Sequence, residues 1–200
     1  MTSFSKPPFS NRSFSIIINV IYLHKIYGKN MCEFMYREMI EREFLMALLE
    51  IQKAGSLVLK KPCEPVKKLD GKLRNFLDSM AETMYKFDGI GLAAPQVGRS
   101  IRAVVIDIGD GRLLELINPV ITAREGAVVD SEGCLSVPGI FGEVERSEKV
   151  TVEYTTRYGK RRKLEADKLL ARCVQHELDH LEGILFIDVA KSLRQETDES

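Results

Sequence analysis

An α+β fold is the prediction, and three features of the sequence make it. Apolar residues recur at helical spacing near residues 73–84 and again near 169–181. Several short, β-branched runs lie between those two stretches. Helices and strands do not alternate in the regular βαβ rhythm that marks a parallel sheet.

The elements follow in order. Asp70 is placed to cap a helix in which Leu73, Phe76, Leu77, Met80 and Met84 share one face, and Gly89 lies just past its expected end. The next segment, 89–98 (GIGLAAPQVG), is expected to be irregular because glycine and proline crowd it. Strands are expected over 101–108, 113–117 and 127–130. A hairpin is expected from 150–155 and 161–165 about a Tyr158-Gly159 turn. A second helix runs over 166–182, with Leu169, Leu170, Cys173 and Leu181 near one face and Gly183 as its stop.

Composition bounds the function. The 200 residues are 44% hydrophobic and 29% charged, which excludes disordered and collagen-like chains. Lys+Arg and Asp+Glu number 29 each, so no wholesale basic surface exists for nucleic acid, although a local patch can. No apolar run approaches the roughly 20 residues of a membrane-spanning helix. Four cysteines are too few for a disulfide scaffold and point to a reducing compartment. Residues 1–32 contain no Asp or Glu, five serines and the apolar run IIINVIYL at 16–23. That reads as an extension outside the fold, or as a targeting segment without a cleavage site. Residues 33–45 fit a short charged helix.

The second helix carries His176-Glu177-Leu178-Asp179-His180. Histidines four residues apart lie one turn apart on one face and can share a metal ion. Glu177 points about 100° away from His176, placed to reach water at that ion rather than the ion itself. With only three histidines in the chain, this spacing is a specific signal.

A catalytic site needs a third protein ligand and an open position. A downstream histidine is missing, because Phe186 stands where H-E-x-x-H-x-x-G-x-x-H requires one. The 20 residues after His180 offer little room for a glutamate to fold back. Cys173 lies about 10.5 Å along the helix axis from His180, which strains convergence on one ion and favours a core or neighbouring role. Cys134, in Glu132-Gly133-Cys134-Leu135-Ser136, is better placed. This segment is expected to be irregular, and 42 residues separate Cys134 from His176. A lone cysteine beside glycine also reads as packing. His24 lies in the N-terminal extension.

GIGLAAPQVG (89–98), EGCLS (132–136) and QHELDH (175–180) occur in the order and spacing of the peptide deformylases, which the chain resembles from Met46 to about Val189. Further echoes are Asn118-Pro119, Arg146 and 181–188 (LEGILFID). The resemblance implies mostly antiparallel sheets packed around a central metal-binding helix (HExxH), with a second helix N-terminal to it. It implies a catalytic domain over 46–190, an extension over 1–45 and a tail over 191–200. Carried over by position, it makes Cys134, His176 and His180 the metal ligands and Glu177 the general base and acid. The Gln96 side-chain amide and the Leu135 N–H would donate to the oxyanion, and backbone groups at Ile90, Gly91 and Gly133 would line the peptide site. The implied reaction removes the formyl group from N-terminal formyl-methionine of nascent chains and releases formate.

One divalent metal is implied, Fe(II) first, with Zn(II), Ni(II) and Co(II) as alternatives. The expected partners are formyl-methionyl nascent peptides, with neither a membrane nor specific nucleic acid. Ribosome contact stays open, since a docking C-terminal helix cannot be carried onto 191–200. The expected location is the cytoplasm, or an organelle if 1–45 is a transit peptide. Two departures stand out: Gln52-Lys53-Ala54-Gly55 replaces a tyrosine- or proline-containing stretch, expected to touch only the fold's edge, and Phe141 makes the entrance more apolar. Competing readings are a metallopeptidase acting on internal bonds, a binding module with a structural metal, and a degenerate relative.

Overall fold

The computed structural model describes residues 48–195. The expectations for 1–45, including the short helix at 33–45, therefore lie outside the described residues.

Helix α1 spans Gly71–Lys86, and its first turn is closed by Asp70, whose Oδ1 accepts the Leu73 N–H at 3.0 Å. It buries Leu73, Phe76, Leu77, Met80 and Met84, as the spacing predicts. Asp88 takes the left-handed conformation (φ 54°), and Gly89 N–H then returns to the Met84 carbonyl at 2.9 Å. The stop therefore sits one residue earlier than the glycine suggests, at a residue type that tolerates this backbone.

Strands β1 (Gly91–Ala93), β2 (Ala103–Ile106), β3 (Leu114–Glu125), β6 (Lys149–Thr155) and β7 (Arg161–Asp167) form a five-stranded sheet in the order β1-β2-β3-β6-β7, every pair antiparallel. Both faces of its centre are covered, which is why β2 (AVVI) is buried at every position instead of alternating. Ala103 and Val105 pack against α1, whereas Val104 and Ile106 face the apolar side of helix α2, Lys168–Leu181. Helix α2 supplies Leu170, Ala171, Val174, Leu178 and Leu181 to that second core. Each fully buried aliphatic side chain contributes about 1.5–3 kcal/mol.

Strands β4 (Val128–Cys134), β5 (Val137–Arg146) and β8 (Ser192–Gln195) form a smaller antiparallel sheet in the order β4-β5-β8. A short helix α3, Phe186–Val189, packs Phe186 with Leu59, Val137, Val144 and Leu185 beneath it. The described architecture is thus α+β with antiparallel sheets and few helices.

Several elements differ from expectation. The 89–98 segment is regular after all: β1 pairs with β2, and Ala94–Val97 makes one turn of 3-10 helix. Cys134 ends a strand rather than lying in an irregular segment. Strand β3 runs eight residues beyond its predicted end by tolerating a break at Asn118 (φ 51°). There the Asn118 amide accepts the Val66 N–H at 2.8 Å and donates to the Val66 carbonyl at 3.0 Å. Strand β8 occupies part of the expected C-terminal tail. Among the described residues, no helix is long and apolar enough to cross a membrane.

Gly183 ends α2 with φ +77°, and a Cβ there would lie 2.7 Å from the Lys60 carbonyl carbon and 2.8 Å from Lys61 N. Both neighbours are backbone. Gly183→Ala is expected to destabilise the fold by at least about 2 kcal/mol. Calorimetry should show Tm lowered by about 5 °C or more.

Candidate metal centre and cleft

Helix α2 presents His176 and His180 one turn apart, and their rings meet edge to face with centroids 5.0 Å apart. Cys134 arrives from the end of β4, where a register shift after Gly133 turns the strand into Leu135-Ser136. Its Sγ lies 3.3 Å from His180 Nε2. One donor atom each from Cys134, His176 and His180 fall within 4.8 Å of one another. A thiol and two imidazoles converging this closely make a donor set for a borderline divalent ion. Cys173 lies outside the cluster and packs in the core, its sulfur 3.6 Å from the Ile90 carbonyl.

His176 has its Nδ1 2.9 Å from Glu132 Oε2, which leaves Nε2 as its metal-facing nitrogen. Glu132 is itself gripped by two guanidiniums. Arg146 donates from Nε to Oε1 at 2.9 Å and from NH2 to Oε2 at 3.0 Å, and Arg172 NH1 donates to Oε1 at 2.8 Å. Burial would raise this carboxyl, but the hydrogen bonds from His176 and Arg146 outweigh it and hold it at about 2. Arg146 also reaches Asp179 on α2. His180 is also shifted below its ordinary value: burial, and then the charge of His176, keep it neutral and fit to ligate.

Glu177 is buried, and its Oε2 has no hydrogen-bond partner among the described residues. Burial pushes its carboxyl up to about 7. A carboxyl that titrates near neutrality is suited to taking and returning a proton. Its place depends on Gly91, because a Cβ there would stand 2.3 Å from Glu177 Oε1 and 2.8 Å from Cys173 Sγ.

Gln96 is buried in the 3-10 turn. Its Oε1 accepts the Ala93 N–H at 2.8 Å, which aims Nε2 at Cys134 Sγ (3.4 Å) and Ser136 Oγ (3.3 Å). The 52–55 segment does more than edge the fold. Gln52 N–H donates to the Gln96 carbonyl at 2.8 Å and Ala54 N–H to the Ser136 carbonyl at 2.8 Å. Lys53 Nζ donates to the Leu135 carbonyl at 2.9 Å. That segment therefore ties the two turns bearing Gln96 and Leu135 to one another.

Ile90, Gly91, Gln96, Gly133, Cys134, Leu135, His176 and Glu177 all line one cleft of about 870 Å³, with His180 behind them. Phe87, Ile90, Ile140, Phe141 and Leu169 make much of its wall apolar. Every sequence-nominated site residue is thus at or beside this cleft. Sequence reasoning passed over Glu132, Arg172 and Ser136. A charged residue directly before Gly-Cys, and an arginine one turn before His176, were the available signals.

The family model described as polypeptide deformylase matches residues 48–196. The peptide deformylase of Desulfitobacterium hafniense is 55% identical over 146 residues, covering 73% of this chain and 97% of that protein. That of Caldicellulosiruptor bescii is 55% identical over 143 residues, covering 72% and 86%. The crystal structure of peptide deformylase from Thermotoga maritima aligns with a TM-score of 0.71 at 44% identity, covering 73% of this chain and 99% of that one. The Synechococcus elongatus enzyme, solved in complex with actinonin, aligns at 0.70 with 46% identity, covering 72% and 79%.

The folded carboxyl of Glu132, at about 2, lies below its ordinary value of 4.5. Its contribution to stability is therefore complete above about pH 4.5 and is lost as pH falls toward 2. Urea unfolding of the metal-free chain across that window should show stability falling with acid, with a flatter profile in Glu132→Gln.

Proposed function

The chain belongs to the peptide deformylase family, hydrolases that remove the formyl group from the N termini of newly synthesised proteins, and from that premise we propose which of its residues carry the reaction. Cys134, His176 and His180 hold the metal. The observation that carries this is their convergence within 4.8 Å, from two different elements, with Cys134 and His176 on the wall of a cleft that also contains an unpartnered buried carboxylate. Three protein ligands leave a coordination position open, as catalysis requires. Fe(II) is the proposed ion, with Zn(II), Ni(II) and Co(II) compatible with the same donors. When bound, it supplies Lewis acidity that brings water's pKa toward neutrality and polarises the formyl carbonyl.

The chain's own groups do the rest. Glu177 takes the proton from the attacking water and passes it to the departing amine, a task for which its raised pKa fits. The Gln96 amide N–H and the Leu135 backbone N–H donate to the oxygen that gains charge as the formyl carbon becomes tetrahedral. One donor of this kind is typically worth about 3–4 kcal/mol of barrier. The peptide lies as an added strand between β1 and β4, each an edge of its sheet, using backbone groups at Ile90, Gly91 and Gly133. The apolar wall of Phe87, Ile90, Ile140 and Leu169 suits an unbranched apolar first side chain such as methionine.

Residues 46–190 serve as the catalytic unit, with β8 extending its smaller sheet and residues 1–45 forming an extension. The substrate, a nascent chain, favours the cytoplasm as the place of action.

Formate release from formyl-Met-Ala-Ser by anaerobically purified protein, with metal measured on the same sample, tests the assignment. Glu177→Ala should keep about one metal per chain and lose turnover by roughly 10²–10⁴-fold. Loss of the metal instead would make Glu177 a ligand. Gly91→Ala should also retain metal while formate release falls about 10²-fold, because the added Cβ displaces the Glu177 carboxylate.

A further inference from the structure

We propose that Arg172 is a positioning residue for the metal centre, setting the distance between the strand that carries Cys134 and the helix that carries the two histidines. The proposal rests on the ligand assignment above. Cys134 and the histidines come from separate elements, so something must fix β4 against α2. Apolar burial does little of it. Of the seven residues of β4 only Glu132 is buried, Cys134 is half-buried at its end, and Val128 and Val129 are exposed. Arg172 stands four residues before His176, one turn away on the same side of α2. Its NH2 donates to the Val128 carbonyl at 2.9 Å, and its NH1 donates to Glu132 Oε1 at 2.8 Å and to the Val144 carbonyl on β5 at 3.0 Å. The Asp130 carbonyl lies at 3.4 Å from NH1. One guanidinium thus fastens the main chain of β4 at its start and the side chain of Glu132 farther along. Glu132 orients His176 through Nδ1 and precedes Cys134 by two residues. The Arg146 guanidinium grips the same carboxylate from β5 but makes no hydrogen bond to the main chain of β4, so the two guanidiniums have different tasks.

Arg172→Met keeps the apolar stem and leaves Glu132 paired with Arg146, so the carboxylate is not orphaned. The measurements are the rate of metal release to a chelator and the visible spectrum of the Co(II)-substituted protein, whose bands report ligand geometry. Arg172→Met should release metal about 10–100 times faster with altered Co(II) bands, and Arg172→Lys should recover part of the loss. Arg157→Met serves as the control: Arg157 pairs with Glu115 and Asp78 outside the cleft. It should lower Tm without changing release. A folded Arg172→Met with wild-type release and spectrum overturns the proposal. So does Arg157→Met, if it accelerates release as much at an equal loss of Tm. Should Arg172→Met not fold, Arg172→Lys carries the test, since one ammonium cannot span both Val128 and Glu132; wild-type release there is the overturning result. Cys134→Ser guards the premise, because an unchanged Co(II) spectrum in that variant refutes the ligand assignment itself.

Discussion

One buried carboxylate organises the chemistry of this fold. Glu132 accepts from two guanidiniums and one imidazole, all within 3.0 Å, in a place nearly closed to water. Buried ion webs of this kind rarely add net stability over well-packed apolar side chains. What they add is direction, since hydrogen bonds constrain angle and distance while apolar contact does not. The three apolar clusters fasten the helices to the large sheet and α3 to the small one. The region between β4 and α2 is held by polar groups, and that is where the donor atoms meet.

The fold was legible wherever a local rule governs. The spacing of apolar residues gave α1 and α2 to within two residues, because each helix lays one face on one sheet. Asp70 and Gly183 punctuated them through cap chemistry that operates over three or four residues. Strand β5 and strand β8 escaped, the first because Gly139 and Gly142 interrupt its pattern, the second because its four residues are all exposed. Strand β1 escaped because glycine and proline mask a pairing that only the β2 register reveals.

The site was legible in a different way. The histidine spacing needs only one helix, so it can be read without a structure, whereas chemistry alone left Cys134 as one of two cysteines. Glu132, Arg146 and Arg172 are separated by up to 40 residues, and nothing local announces that they share two oxygen atoms. The stitching of Gln96 and Leu135 through 52–54 was invisible for the same reason. Two of its three bonds join backbone groups and the third runs from the Lys53 ammonium to a carbonyl, partners that no side-chain pattern encodes. These invisible contacts are what hold the nominated residues in register around the cleft.

Gly91 extends the argument beyond the single molecule. Every amino acid reachable from a glycine codon by one base change carries a Cβ, and at this position that atom would fall 2.3 Å from the Glu177 oxygen. Any single-base change that replaces this glycine must therefore displace that oxygen. A population under pressure from an inhibitor can alter Phe87, Phe141 or Leu169 on the cleft wall and keep its carboxylate in place. It cannot do so at Gly91. A compound that draws its grip from the main chain at Gly91 meets a position where every substitution must move the carboxylate on which turnover depends.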